Sequence, residues 1–237
     1  MKQLSSFRAR VSAILLLTLF GGQLAKAQSN APLEKVLDQM DLAGKNFSTA
    51  QASFVWDQYT FVVKVTDTQE GNIYFRRAGN DTQMAVDITA PAPKYVVLTG
   101  GKLQLYEPRI DKVTVYNLQK NQSEFESFLV LGFGGGGHSM LKSFEVSYLG
   151  TEKVDGIEAS KLDLVPKTPK VQQMFPHIVL WIDPARGISV RQQLFQGGGD
   201  YRLAIYSDIR LHQKIADNVF KLKTDAKTKV QIMSSPD

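Results

Sequence analysis

From Thr49 to Leu211 the chain reads as one series of strand-like segments, interrupted once by a short apolar stretch that runs into four glycines, Gly134 to Gly137. Apolar and polar residues alternate at period two, the signature of antiparallel strands with one buried face. Such a chain makes much sheet and little helix to cover it. A cupped sheet able to hold something apolar is the expected outcome, and no catalytic constellation competes with it.

An amphipathic helix precedes the strands. Leu33, Val36, Leu37, Met40 and Phe47 share a face, Asn30 is placed to cap it, and Pro32 suits its first turn. The strand signals then come in meander order. Thr49 to Val65 reads as one long strand, followed by Gly71 to Arg77 and by Met84, Val86 and Ile88 alternating with polar neighbours. Lys94 to Thr99 turns at Gly100-Gly101 into Lys102 to Tyr106, and Pro108 to Asp111 turns into Lys112 to Leu118. Beyond the glycines come Phe144 to Leu149 and Ile157 to Val165, joined through Asp155-Gly156. Ile178 to Ile182 meets Ile188 to Phe195 across Asp183 to Gly187. The last run sets Tyr201, Leu203, Ile205, Ile209 and Leu211 against Arg202, Asp208 and Arg210. This gives a mainly β (α+β) chain of about eleven strands, in one sheet or an incompletely closed barrel.

Residues 1–27 have the build of a cleaved secretory signal. Lys2, Arg8 and Arg10 precede the apolar run Val11 to Phe20, and Ala25-Lys26-Ala27 is a small-x-small cleavage site. The signal carries four of the 28 basic residues and none of the 23 acids, so its removal takes the net charge from +5 to +1. The basic balance of the whole chain is therefore no argument for nucleic acid. Residues 28–237 are expected to form a single domain, a monomer exported to the periplasm. The absence of cysteine excludes disulfides, thiolate metal sites and an acylated cysteine anchor.

The interruption, Ser123 to Phe133, places Phe125, Phe128, Leu129 and Leu131 within three turns. A helix this apolar must pack on something, and the concave sheet face is the available partner. Gly134, Gly135, Gly136 and Gly137 would then act as a hinge. Two readings stay open: a movable lid over apolar cargo, or a fixed core helix followed by a loose turn. In the lid reading the cavity is lined by Trp56, Ile73, Phe75, Met84, Val86, Leu103, Leu105, Val113, Val115, Phe125, Phe128, Leu129, Leu131, Leu180, Leu203 and Ile205. An acyl chain of about 16 methylenes exposed to water costs on the order of 13 kcal/mol, a clear motive for enclosure.

Competing chemical signals are weak. Gly132 to Ser139 has the spacing of a phosphate-binding loop, but His138 stands where lysine is needed and no strand precedes it. His138, His177 and His212 are not at metal-ligand spacing, and Asp183 reads as a turn former. No cofactor, metal or catalytic residue is expected. The stretches Lys167 to Lys170 and Lys221 to Lys229 read as solvated surface. Arg77 stands apart, because it shares parity with the apolar Ile73 and Phe75 and must find acceptors if it points inward.

Three stretches resemble the periplasmic outer-membrane lipoprotein carrier (LolA-like) family. They are Gly71-Asn72-Ile73-Tyr74-Phe75-Arg76-Arg77, the hairpin Leu98-Thr99-Gly100-Gly101-Lys102-Leu103-Gln104-Leu105-Tyr106-Glu107-Pro108, and the ending Ala216-Asp217-Asn218-Val219-Phe220. The flap sequence and the four glycines depart from the family pattern. The resemblance implies an incomplete barrel with a helical lid over an apolar cavity, and Arg77 as the latch of that lid. It further implies carriage of lipoprotein acyl chains or another lipid from an inner-membrane exporter to an outer-membrane acceptor, with no chemical step. A lipid-binding sensor of the same fold, or a ligand-free structural β-protein, are the other classes the sequence admits.

Overall fold

The computed structural model describes residues 31–79, 81–118 and 131–233. The leader, and Phe125, Phe128 and Leu129 of the expected flap, lie outside the described residues. The chain begins with helix α1 (Ala31–Asn46). The strands are β1 (Thr49–Thr60), β2 (Val65–Ala78), β3 (Asp81–Ala90), β4 (Lys94–Thr99), β5 (Lys102–Glu107), β6 (Lys112–Asn117), β7 (Phe144–Val154), β8 (Ile157–Pro166), β9 (Ile178–Asp183), β10 (Ile188–Phe195), β11 (Tyr201–Leu211) and β12 (Lys229–Met233). Two short helical pieces, α2 (Gly137–Met140) and α3 (Pro169–Met174), sit in connections. All the strands form one open sheet in the order β12-β6-β5-β4-β3-β2-β1-β11-β10-β9-β8-β7.

Local chemistry sets most of the turns. Gly100 and Gly101 both take positive φ (55° and 68°), as a two-residue hairpin matched to strand twist requires. The Asp183 carboxylate accepts the backbone N–H groups of Ala185 and Arg186, which closes the β9–β10 turn. Two expectations need correction. The segment 49–65 is not one strand, because the chain reverses at Phe61 to Lys64, with Lys64 at φ 53° and its N–H donating to the Phe61 carbonyl. No turn residue marks that reversal, and its apolar side chains are exposed: Phe61 53%, Val62 84%, Val63 63%. Among the described residues the strand count is twelve, because β12, just past the lysine-rich stretch, adds to β6 in parallel.

Cross-strand register defines the two faces. Ala50, Phe75, Met84, Leu98 and Leu103 are successive partners across β1 to β5 and form one row of the inner face. On the other half, Leu164 on β8, Ile178 on β9 and Leu194 on β10 form a second row. Helix α1 covers this second half. Its Val36, Leu37 and Met40 pack with Leu131, Met140, Phe144, Leu162, Leu164, Ile178, Leu180 and Ile182 in a closed cluster. Each such side chain, taken fully out of water, contributes about 1.5–3 kcal/mol.

The outer face of β3 and β4 is covered by the C-terminal segment. Ile215 and Phe220 pack on Ala85 and Val97. Arg76 fastens this cover: its Nη1 lies 2.6 Å from Asp217 Oδ1, its Nε and Nη2 donate to Gln83 Oε1, and its guanidinium lies 4.3 Å above the Phe220 ring. Burial of Phe220 predicts that Phe220→Ala lowers the unfolding free energy by about 3 kcal/mol or more. Denaturant titration checks this, and a loss below about 1 kcal/mol would show that the C-terminal cover is dispensable.

Candidate functional site

Among the described residues, the inner face of β1 to β6, with β11, is only partly filled. Phe47, Ala50, Phe75, Met84, Leu98 and Phe133 are buried together, while Ile73, Val86, Val96, Leu103 and Tyr206 pack on them half-buried. Phe133 is the plug: 1% exposed, it stacks on Phe75 with centroids 5.1 Å apart and meets Tyr206 edge-on at 4.8 Å. Further along the same face, Trp56, Leu105 and Ala204 remain half-buried. The result is an apolar trough beside a solid core, both on one sheet.

The stretch from Leu131 to Gly134 divides them. Leu131 belongs to the cluster under α1 and Phe133 to the trough. The stretch is tied to β10, since the Ser189 N–H donates to the Gly132 carbonyl (2.8 Å) and Gln192 Nε2 donates to that of Leu131 (2.6 Å). Arg77, at the end of β2, makes the third tie. Its Nη1 donates to the Gly44 carbonyl at 2.9 Å and its Nη2 to the Gly134 carbonyl at 3.0 Å, with the guanidinium 5.6 Å above the Phe47 ring. It therefore joins the end of α1 to the base of the expected flap. As a residue Arg77 is exposed, so the burial penalty that singled it out in the sequence does not apply; the acceptors are nonetheless backbone carbonyls at helix and flap ends.

The glycines do not have the geometry of a loose hinge. A Cβ on Gly137 would overlap the Leu37 backbone, and one on Gly134 would lie 2.5 Å from the Phe47 ring. A Cβ on Gly136 would lie 2.8 Å from Asp41 Oδ1. Gly137 faces the α1 backbone and Gly134 the Phe47 ring just beyond α1, too closely for a larger residue, while at Gly136 the neighbour is the tip of the Asp41 side chain. Gly135 is half-buried between them.

The expected lining residues separate into groups. Trp56, Ile73, Phe75, Met84, Val86, Leu103 and Leu105 share the inner face of the trough. Leu131 and Leu180 face inward too, but inside the closed cluster, where Leu180 is 0% exposed and Leu131 5%. Val113, Val115, Leu203 and Ile205 are on the outer face, as their pairings with Tyr106, Gln104, Gln193 and Arg191 require. Both parities of β6 and β11 carry apolar residues, so choosing the greasier parity as the inner one reversed both strands. Phe47, Val96, Leu98, Leu194 and Tyr206 also belong to the inner wall and were not anticipated. Burial pushes the Tyr206 phenol well above its ordinary range.

The profile of the family described as outer membrane lipoprotein carrier protein LolA matches residues 45–223. The chain belongs to this family. Solved structures share the fold at low identity. An uncharacterized conserved protein from Thermus thermophilus superposes with TM-score 0.55 at 10% identity, over 85% of this chain and 99% of that one. MucB superposes with TM-score 0.53 at 14% identity, over 84% of this chain and 65% of that one. The Pseudomonas aeruginosa MucA/MucB complex gives TM-score 0.50 at 14% identity, over 81% and 61%. This chain thus spans less than two thirds of the MucB chains it matches. No curated protein matches it by sequence. The LolA-like fold is a periplasmic lipid- or lipoprotein-binding one.

Beside the glycine seam, α1 and α2 are joined by His138. Its backbone N–H donates to Asp41 Oδ1 (3.1 Å), ring Nδ1 lies 2.6 Å from Asp41 Oδ2, and ring Nε2 lies 3.1 Å from Glu34 Oε2. Asp38 completes a trio with Asp41 and His138 whose ligand atoms lie within 4.8 Å of one another, an arrangement invisible in the sequence because α1 and α2 are 90 residues apart. Only the imidazolium donates from both nitrogens, and these hydrogen bonds, to Asp41 first and Glu34 second, raise the His138 pKa above its ordinary 6.5. The clamp is at full strength below about pH 6.5 and is lost as pH climbs through the raised value. The thermal midpoint of the wild type is expected to fall relative to His138→Gln as pH rises from about 6 to about 9. Parallel midpoint curves for the two proteins would refute the clamp.

Proposed function

We propose that the mature chain is a periplasmic carrier that shelters the acyl chains of a lipoprotein or another lipid in the inner trough of β1 to β6. It would receive them from an inner-membrane exporter and deliver them to an outer-membrane acceptor, without a chemical step. One observation carries this reading: half of the inner face is packed solid under α1, while the other half keeps a half-buried apolar wall bordered by a segment that Arg77 ties down. A purely structural β-protein gains nothing from leaving that wall incompletely covered. Membership of the lipoprotein carrier family supports the same conclusion. A sensor would differ in retaining a regulatory partner, so capture of a stoichiometric, cargo-independent partner from envelope extracts would favour that class.

In this reading Arg77 is a latch across the trough's border. Its two hydrogen bonds to neutral carbonyls at a solvated rim contribute about 1 kcal/mol each at most after screening. Arg77→Leu is therefore expected to speed release of a bound acyl probe several-fold, up to about tenfold, with the thermal midpoint only slightly lowered. Stopped-flow release into acceptor vesicles measures it. A wild-type release rate in the variant would remove the latch, and failure of the wild-type protein to bind any acyl probe would remove the carrier.

A further inference from the structure

The alternation along β11 assigns Arg202 to solvent, opposite Leu203 and Ile205, yet it shares the inner face with Ala204 and Tyr206. Its ladder partners fix its position. Leu164, Ile178 and Leu194 form an unbroken apolar row across β8, β9 and β10, and Arg202 is the next member, followed by Gln58 on β1 and Asp67 on β2. The arginine thus stands where the apolar floor ends and the polar rim begins. Its guanidinium carbon lies 5.7 Å from the centre of the Trp56 ring, itself on the inner face.

Other inner-face groups with a hydrogen-bonding task have partners nearby: Gln192 holds the Leu131 carbonyl, and the Tyr206 hydroxyl donates to Gln192. Arg202 has none. Its Nε is shielded from solvent without an acceptor, and no described residue forms a hydrogen bond or ion pair with it. Asp200, two residues away, is taken by the Phe61 backbone N–H, and Asp67 makes no ion pair among the described residues. Arg76, Arg77 and Arg186 are each supplied with acceptors. The Nε of Arg191 is orphaned too, but its Nη1 reaches Glu152, whereas no part of the Arg202 guanidinium has a partner among the described residues. A permanently charged, planar donor whose Nε is removed from water without an acceptor is prepared for an anion.

We propose that Arg202 is a headgroup site for an anionic amphiphile, binding a carboxylate or phosphate while the acyl chain lies along the apolar face beside it. This deepens the carrier reading and rests on it, because the chain needs the trough. The Trp56 ring fits this use: it backs the guanidinium with an aromatic face and leaves the opposite side of the fork for the oxygens. An acyl-bearing cargo with a neutral head would gain nothing from Arg202, so the site distinguishes an acidic lipid from an uncharged one.

The test uses the full mature chain, delipidated, with four probes: oleate, oleoyl lysophosphatidate, neutral monoolein and inorganic phosphate alone. Native mass spectrometry and calorimetry give the affinities. Both anionic amphiphiles should bind at least about tenfold more tightly than monoolein. Arg202→Gln should abolish that difference while leaving monoolein within about twofold, and Arg202→Lys should keep most of it. Equal binding of monoolein and the anionic probes by the wild type would overturn the headgroup site and leave the trough standing. So would equal losses of all three in Arg202→Gln with an unchanged melting midpoint. Inorganic phosphate binding as tightly as lysophosphatidate would also overturn it, marking a free-anion site. Failure of every amphiphile would remove the carrier reading together with this one.

Discussion

Helix α1 is too short for the sheet it must cover. Its 16 residues span about 24 Å, whereas twelve strands at about 4.8 Å spacing measure more than 50 Å across. The helix therefore takes one part of the inner face and buries a closely packed apolar cluster there. Everything else about the inner surface follows from that choice. β7 to β9 become a core, and β1 to β6 become a wall that the Leu131 to Gly134 stretch can only border. Among the described residues neither β12 nor β7 has a partner on its outer edge, so the sheet is open.

The two adjacent arginines at the end of β2 show how the sheet uses both faces at one place. Arg76 points outward and pins the C-terminal cover through Asp217, Gln83 and Phe220. Arg77 points the other way and pins the junction of α1 with the flap base. Period-two geometry makes this division of labour automatic. The hydrogen bond to Arg76 holds the Asp217 carboxyl below its usual range, consistent with a fixed pair at an exposed site.

Much of the fold was legible in the residues. The glycine pair at 100 and 101, the Asp155-Gly156 turn, the Asp183 turn and the amphipathic helix each carry a local signal strong enough to survive tertiary context. The Phe61 to Lys64 reversal carries none, because three β-forming residues, Phe61, Val62 and Val63, occupy it with Lys64. β12 was hidden by its lysine-rich approach and by a parallel pairing that no local pattern encodes. Arg77 was singled out by parity; its acceptors are the Gly44 carbonyl in α1 and the Gly134 carbonyl, neither of which the sequence names. The faces of β6 and β11 were not legible. Val113, Val115, Leu203 and Ile205 look inward only if the outer face is assumed to be polar, whereas Ile205 in fact lies beside Val55. The glycine run was misread for a related reason: sequence shows that glycine permits freedom, but only neighbours show whether it is there for closeness.

The two borders of the sheet are unequal. β7 breaks its pairing between Tyr148 and Thr151 around Gly150 at φ 100°, and carries Glu145, Glu152 and Lys153; a kinked, charged margin of this kind discourages docking by a second strand. β12 is straight, short and exposed throughout, with Val230 at 64% and Ile232 at 76%. Among the described residues its outward row of amide and carbonyl groups is therefore the edge better placed to accept another strand.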